Sequence, residues 1–270
     1  MIKDITFGQY YQSGSVIHRL DPRMKILFLI FLLFFIIFFA ENFAGLLLMT
    51  AFIVLTIILT RVPIKLFLKN LKAIIPIILF TTVINLFYSS EGKVLWDVWK
   101  FKLTTGGIER AVFLGLRIIL LIVISSVLTY TTTPNDLTDA IERLLSPLKF
   151  IGLKRAVHVL AMMMTIALRF IPTLIEETEK IMNAQKARGA NLEDGKLFEK
   201  IKALIPILIP LLISAIRHAY ELAEAMECRC YNGGEGRKRM KKMKLHLRDF
   251  VSAAICVLFC AGVIVINIFI

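Results

Sequence analysis

Two tripeptides carry the clearest chemical signal in this chain: Ala187-Arg188-Gly189, within NAQKARGANLEDG, and Cys228-Arg229-Cys230, within EAMECRCYNGG. Each sets an arginine between two small residues at the end of a long helical run. An arginine in the last turn is favoured by the negative end of the helix dipole, and its planar fork binds a carboxylate through two parallel hydrogen bonds. Small neighbours let such a helix end enter a groove closely. The plainer reading of the first triplet is a C-cap, with Gly189 ending the helix beside a stabilising cation. Its repetition on a second long helix raises the alternative of a paired docking device for a two-fold partner.

Other chemistry is weakly represented. Gly195-Lys196 is followed by Leu197 and lacks the earlier glycine of a phosphate-binding loop, so ATP hydrolysis by that route is excluded; neither H-E-x-x-H nor G-x-S-x-G occurs. His18, His158, His218 and His246 are scattered. His218 and Glu221 can share a helix face, but without further partners the pair reads as a solvated face and no metal site is expected. Asp136 and Asp139 could be taken for a diphosphate-metal pair, and a helix N-terminus accounts for both more simply. Neither Cys228/Cys230 nor Cys256/Cys260 has zinc-site spacing, and all four read as buried thiols.

The elements that must position these residues belong to a membrane protein. The chain has 270 residues, 57% of them apolar, with a mean hydropathy of +0.75. Its net charge of +13 points to cytoplasmic loops and anionic headgroups, and not to nucleic acid. Residues 1–23 are polar, and no cleavable signal peptide is expected. Five stretches are long enough to span: Met24–Ala40, Phe43–Thr60, Ala73–Tyr88, Ala111–Tyr130 and Phe250–Ile270. Asp21-Pro22 suits the start of the first. Lys3, Arg19, Arg23 and Lys25 before that span, and Arg61, Lys65, Lys69 and Lys72 after the second, place the N-terminus in the cytoplasm. Residues 89–110 then form an outward loop, and the C-terminus lies outside. Arg117, inside the fourth span, is expected to snorkel to the headgroups.

The segment 131–248 differs, because its helices are long but only half apolar, and it holds most of the basic residues. Leu137, Ala140, Ile141, Leu144, Leu145 and Leu148 form one apolar stripe suited to a membrane surface or a partner helix. A second helix runs from about Lys154 to Ala190 and a third from about Leu197 to Tyr231, joined by the turn ANLEDG. The second sets Leu174, Ile175, Thr178, Ile181 and Met182 against Glu176, Glu177, Glu179, Lys180 and Lys186. The third sets Leu212, Ala215, Ile216, Ala219, Leu222, Ala223 and Met226 against Arg217, Glu221, Glu224 and Glu227. Both contain an apolar proline sequence, IPTLI and IPLLI, upstream of the triplet. Residues 156–175 and 203–216 are apolar enough to span, but His158, Arg169 and the prolines favour interfacial or buried packing. Within the spans, ionisable groups are too few for a self-contained ion-coupled secondary transporter, the alternative reading.

HRLDPRMKIL (18–27), TTTPNDLTDAIERLLSPLKFIGL (131–153), QKARGA (185–190) and AMECRCY (225–231) together resemble the transmembrane component of energy-coupling factor transporters, which includes the cobalt-type permeases. The resemblance implies an all-α membrane protein of about five spans plus long amphipathic cytosolic coupling helices crossing as an X. It divides the chain into a four-span domain at 1–130, a coupling domain at 131–248 and a final span at 249–270. By the same resemblance the chain is non-catalytic and binds no cofactor, while ATP and magnesium sit on two partner ATPases of the ATP-binding-cassette type in a prokaryotic cell membrane. Ala187, Arg188 and Gly189 match the family's ATPase-docking triplet; Arg229 matches the second, with Cys228 where alanine is usual and Cys230 where glycine is usual. A separate substrate-binding component for a vitamin or metal ion would pack on the apolar helix faces, with Met162, Met163 and Met164 as an adaptable surface. The substrate itself is not encoded here.

Overall fold

Pro22 stands at the first helical position, where its missing N–H costs nothing, and Asp21 Oδ1 accepts from the Arg23 backbone N–H at 3.0 Å. That cap opens α1 (Pro22–Phe38) in the computed structural model, which describes residues 10–40, 42–88, 94–98, 101–147, 154–190, 197–232 and 245–269. Seven more helices follow among the described residues: α2 (Phe43–Thr60), α3 (Ile64–Tyr88), α4 (Thr105–Thr131), α5 (Pro134–Leu144), α6 (Lys154–Ala187), α7 (Leu197–Cys228) and α8 (Leu247–Phe269). The expected loop 89–110 instead contains an antiparallel ribbon, β1 (Val94–Val98) with β2 (Phe101–Thr104), Val98 opposite Phe101, and α4 starts at Thr105 with the Thr104 hydroxyl capping Gly107 N–H at 3.2 Å. The third span, short from Ala73 and able to extend through Leu71, in fact begins at Ile64 as α3, because nothing between Ile64 and Ala73 breaks a helix.

The chain forms two compact units, Gln9–Thr133 with Lys242–Ile270, and Pro134–Lys241. In the first, α1, α2, α4 and α8 enclose Ile36, Leu46, Met49, Ile53 and Val263, all fully buried, while α3 packs along α4. Gly45 sets the α2–α8 approach: a Cβ there would lie 3.1 Å from Val263 Cγ1.

Polar side chains hold both ends of α1. At its start, Asp249 at the head of α8 accepts from Asp21 N–H at 2.9 Å and from His246 N–H at 2.8 Å. Lys25, only 7% exposed, donates to His18 O at 3.2 Å and to Thr131 O at 2.8 Å, so its charge sits on the negative end of α4. His18 Nε2 donates to Tyr11 O at 2.7 Å, leaving Nδ1 to accept from Ser15 Oγ at 2.7 Å. Burial, with a smaller push from Lys25, holds the imidazole pKa below its ordinary value. At the other end, Asn267 donates to Phe39 O and Arg117 donates to Ala40 O with its guanidinium 4.8 Å from the Phe113 ring centroid. Arg117 thus has a backbone partner just past the end of α1. HRLDPRMK is thus a structural knot that ties α1 to α4 and α8.

In the second unit α5 packs on α6, with Ala140 buried and Leu137, Ile141, Leu144 and Leu145 half-buried. The partner of the predicted stripe is a helix of the same chain; Leu148 lies outside the described residues. Among the described residues six helices, α2, α3, α4, α6, α7 and α8, are long and apolar enough to cross a membrane by length and composition, and α1 has 17 residues. The molecule is an all-α membrane protein, with one short ribbon among the described residues.

Candidate functional site

α6 and α7 have 34 and 32 residues, which makes each roughly 50 Å long at ~1.5 Å per residue. They run antiparallel: Gln185 near the end of α6 meets Pro206 near the start of α7, Glu177 meets Ser214, and Phe170 meets His218 with ring centroids 6.2 Å apart. The first of these contacts follows from covalent chemistry. Pro206 O would accept from residue 210 in a regular helix, and Pro210 has no N–H, so the free carbonyl takes the Gln185 amide at 3.4 Å.

The second contact is a polar cluster. Ser214 Oγ donates to Glu177 Oε1 at 2.5 Å, while His218 lies between two carboxylates, with Nε2 3.3 Å from Glu177 Oε2 and Nδ1 3.2 Å from Glu221 Oε2. The predicted His218–Glu221 pair is present, but it is half of a bridge to α6. Glu177, read from the sequence as solvent-facing, is half-buried against α7. Among the described residues no group of three or more metal-ligating side chains assembles.

The two triplets end their helices identically. After α6, Gly189 N–H donates to Lys186 O at 3.0 Å and Ala190 N–H reaches back to Gln185 O at 3.0 Å; after α7, Cys230 N–H donates to Glu227 O at 2.8 Å and Tyr231 N–H to Met226 O at 3.1 Å. Both are complete Schellman caps, the last N–H bonding five residues back and the one before it three. Their left-handed residues are Gly189 at φ +88° and Cys230 at φ +53°, so the third position of each triplet turns the chain and the arginine is the cap residue in both. The helices end at Ala187 and Cys228, three residues short of the expected limits, because these caps take the chain out of the helix.

All six triplet residues are exposed, and neither Arg188 nor Arg229 forms an ion pair with another described residue. The reading of four buried thiols is corrected: Cys256 and Cys260 are buried, whereas Cys228 and Cys230 flank Arg229 in solvent, where the cap turns them outward. Arg229 borders a cleft of about 500 Å³ together with Thr165 and Arg169 of α6. Those two residues precede Arg188 by about 20 positions, so the two arginines stand roughly 30 Å apart along the antiparallel pair.

The outer faces are apolar. α7 turns Ala203, Ile207, Ser214, His218 and Leu222 inward, and exposes Ile205, Leu208, Leu212, Ile216 and Tyr220. The predicted stripe is therefore split: Ala215, Leu222 and Met226 face inward, while Leu212, Ile216, Ala219 and Ala223 are exposed. On α6, Met163 is 63% exposed, and Met162 and Met164 are half-buried.

Residues 13–241 match the family model of CbiQ, described as a cobalt transport protein. The chain is 49% identical to the energy-coupling factor transporter transmembrane protein EcfT of Ruminiclostridium cellulolyticum, over 99% of this chain and 98% of the relative. It is 50% identical to the EcfT of Acidaminococcus fermentans over 90% of this chain and 89% of the relative, and 46% identical to that of Bacillus subtilis over 90% and 91%. The match spans the bundle, the knot at 18–27 and both capped helices, and the chain belongs to the CbiQ family of energy-coupling factor transporter transmembrane proteins.

Proposed function

We propose that this chain is the non-catalytic coupling subunit of an ATP-driven importer, joining two ATP-binding-cassette ATPases to a substrate-binding membrane component. The observation that carries the reading is the pair of equivalent caps: two exposed arginines in the same local geometry, neither ion-paired with a described residue, roughly 30 Å apart. Two like sockets on a two-fold ATPase pair fit such prongs. Each arginine binds a carboxylate of its socket, and the small residues beside it allow close entry.

ATP, with its magnesium, is bound and hydrolysed by the partners. Their closure moves the two docked ends, and the Gln185–Pro206 and Ser214–Glu177–His218 contacts make α6 and α7 respond together. The exposed row of α7 and Met163 of α6 offer the apolar surface on which a substrate-binding component moves. The polypeptide that binds the vitamin or metal ion then sets the substrate.

Orientation follows from charge. The starts of α1, α3 and α8 and the ends of α2 and α4 share one face of the bundle, and Arg19, Arg23, Arg61, Lys65, Lys69 and Arg248 cluster there. This supports a cytoplasmic N-terminus and an outer C-terminus in a prokaryotic cell membrane. The test is charge reversal: Arg188→Glu and Arg229→Glu should each weaken ATPase co-purification by more than ~30-fold, the equivalent of the ~2–5 kcal/mol lost when one member of a buried charged pair is removed. Membrane insertion should persist. Undiminished ATPase retention by both variants would contradict the proposal.

A further inference from the structure

A cleft of about 490 Å³ opens in the bundle between α1, α2, α4 and α8, at the face where α1 and α8 begin. Its depth is lined by Leu32, Phe52 and Ile124, and its outer edges by Leu55, Val251 and Ile255, which are exposed on the sides of α2 and α8. Its size is that of a small-molecule site, within the ~300–1,000 Å³ common for such pockets.

The polar groups in the lining specify what it accepts. Lys25 donates to His18 O and Thr131 O, Thr56 to Phe52 O, Thr131 to Val127 O and Ser252 to Asp249 O. Each already has a backbone partner, and the rest of the lining is apolar, so the interior favours hydrocarbon. The rim differs. Arg248 lines the mouth, is exposed and makes no ion pair with a described residue; the same holds for Arg19, which adjoins the lining residue Leu20. The hydrogen bond from Asp21 N–H to Asp249 Oδ1 joins these two stretches, with Arg19 two residues before Asp21 and Arg248 one before Asp249.

We propose that this cleft holds one acyl chain of an anionic phospholipid, whose phosphate lies between Arg248 and Arg19. The lipid chain fills the apolar space left between four helices, and the headgroup meets cations at the depth where the basic face of the bundle reaches the membrane surface. The lipid thereby closes the seam beside the knot that ties α1 to α8.

The test is native mass spectrometry of the full chain with its partners, titrated with dioleoyl phosphatidylglycerol or dioleoyl phosphatidylcholine in detergent. One phosphatidylglycerol should remain bound per chain, preferred over phosphatidylcholine by about 25-fold, at about fivefold per arginine. Arg19→Gln with Arg248→Gln should bring the two lipids to parity without emptying the cleft. Thr56→Phe, which projects a ring into the space, should reduce retention of both lipids, and Ser252→Phe does the same from α8, so a folding failure of one leaves the other. Ile58→Phe, on the 65% exposed face of α2, should change nothing. Equal affinity for the two lipids in the wild-type chain, or full retention in both ring-inserting variants, would overturn the proposal.

Discussion

If the two triplets are one device, exchanging the residue at the left-handed position should move the two helix ends in opposite directions. Gly189 has φ +88°, and a Cβ built there meets nothing within 4 Å, so Gly189→Ala costs only the backbone term, about 1 kcal/mol. Cys230 already bears that cost at φ +53°, and Cys230→Gly relieves it, less the greater freedom glycine has in the open state. One kcal/mol is about fivefold in an equilibrium constant. The reporters are the Ala190 and Tyr231 amides, each of which makes the outer bond of its cap. Hydrogen exchange in lipid nanodiscs should show Ala190 exchanging about fivefold faster in Gly189→Ala, and Tyr231 roughly two- to fivefold slower in Cys230→Gly. Both variants keep their arginines and small neighbours, so ATPase retention should survive. Shifts of the same sign, or none, would refute the structural equivalence of the triplets.

Two further outcomes concern the knot at the start of α1. Asp249→Ala leaves the Asp21 and His246 N–H donors unmet in a region where Asp249 is 2% exposed, and should cost about 3 kcal/mol, read as a lowered midpoint of thermal unfolding in detergent. His18 has its pKa held below the ordinary 6.5 by burial, so the unfolded chain takes up the proton first as pH falls. Its stabilising contribution is therefore complete above about pH 6.5 and declines below it; the melting temperature should fall between about pH 7 and 5, and His18→Gln should flatten that slope.

Legibility from sequence tracked how local each feature was. α2 and the Asp21-Pro22 start could be read because each rests on adjacent residues, and the triplets stood out because one type of helix end recurs. The roles of Lys25 and Arg117 could not be read, since their acceptors, Thr131 O and Ala40 O, are backbone atoms 106 and 77 residues away. The Glu177–Ser214–His218 contact was hidden for a related reason: the charged neighbours Glu176, Glu179 and Lys180 made Glu177 resemble a wetted face, and only the antiparallel pairing turns it toward α7. One signal does lie in the sequence. Pro206 and Pro210, four apart, guarantee a helix carbonyl without its usual donor, and a nearby glutamine is a natural partner. The strands at 94–98 and 101–104 lie in a sequence with partial alternation, WDVWKFKL, which a charge-based loop assignment passes over.

The most direct test of the coupling account uses the protein's own thiols. Cys228 and Cys230 flank Arg229 in solvent, while Cys256 and Cys260 are buried between helices and should remain silent. Under brief treatment with a bulky maleimide, the isolated chain should label at both exposed cysteines, and the chain assembled with its ATPases should be protected at both. Equal labelling of Cys228 and Cys230 in the isolated and assembled states would contradict the claim that this helix end is seated in an ATPase.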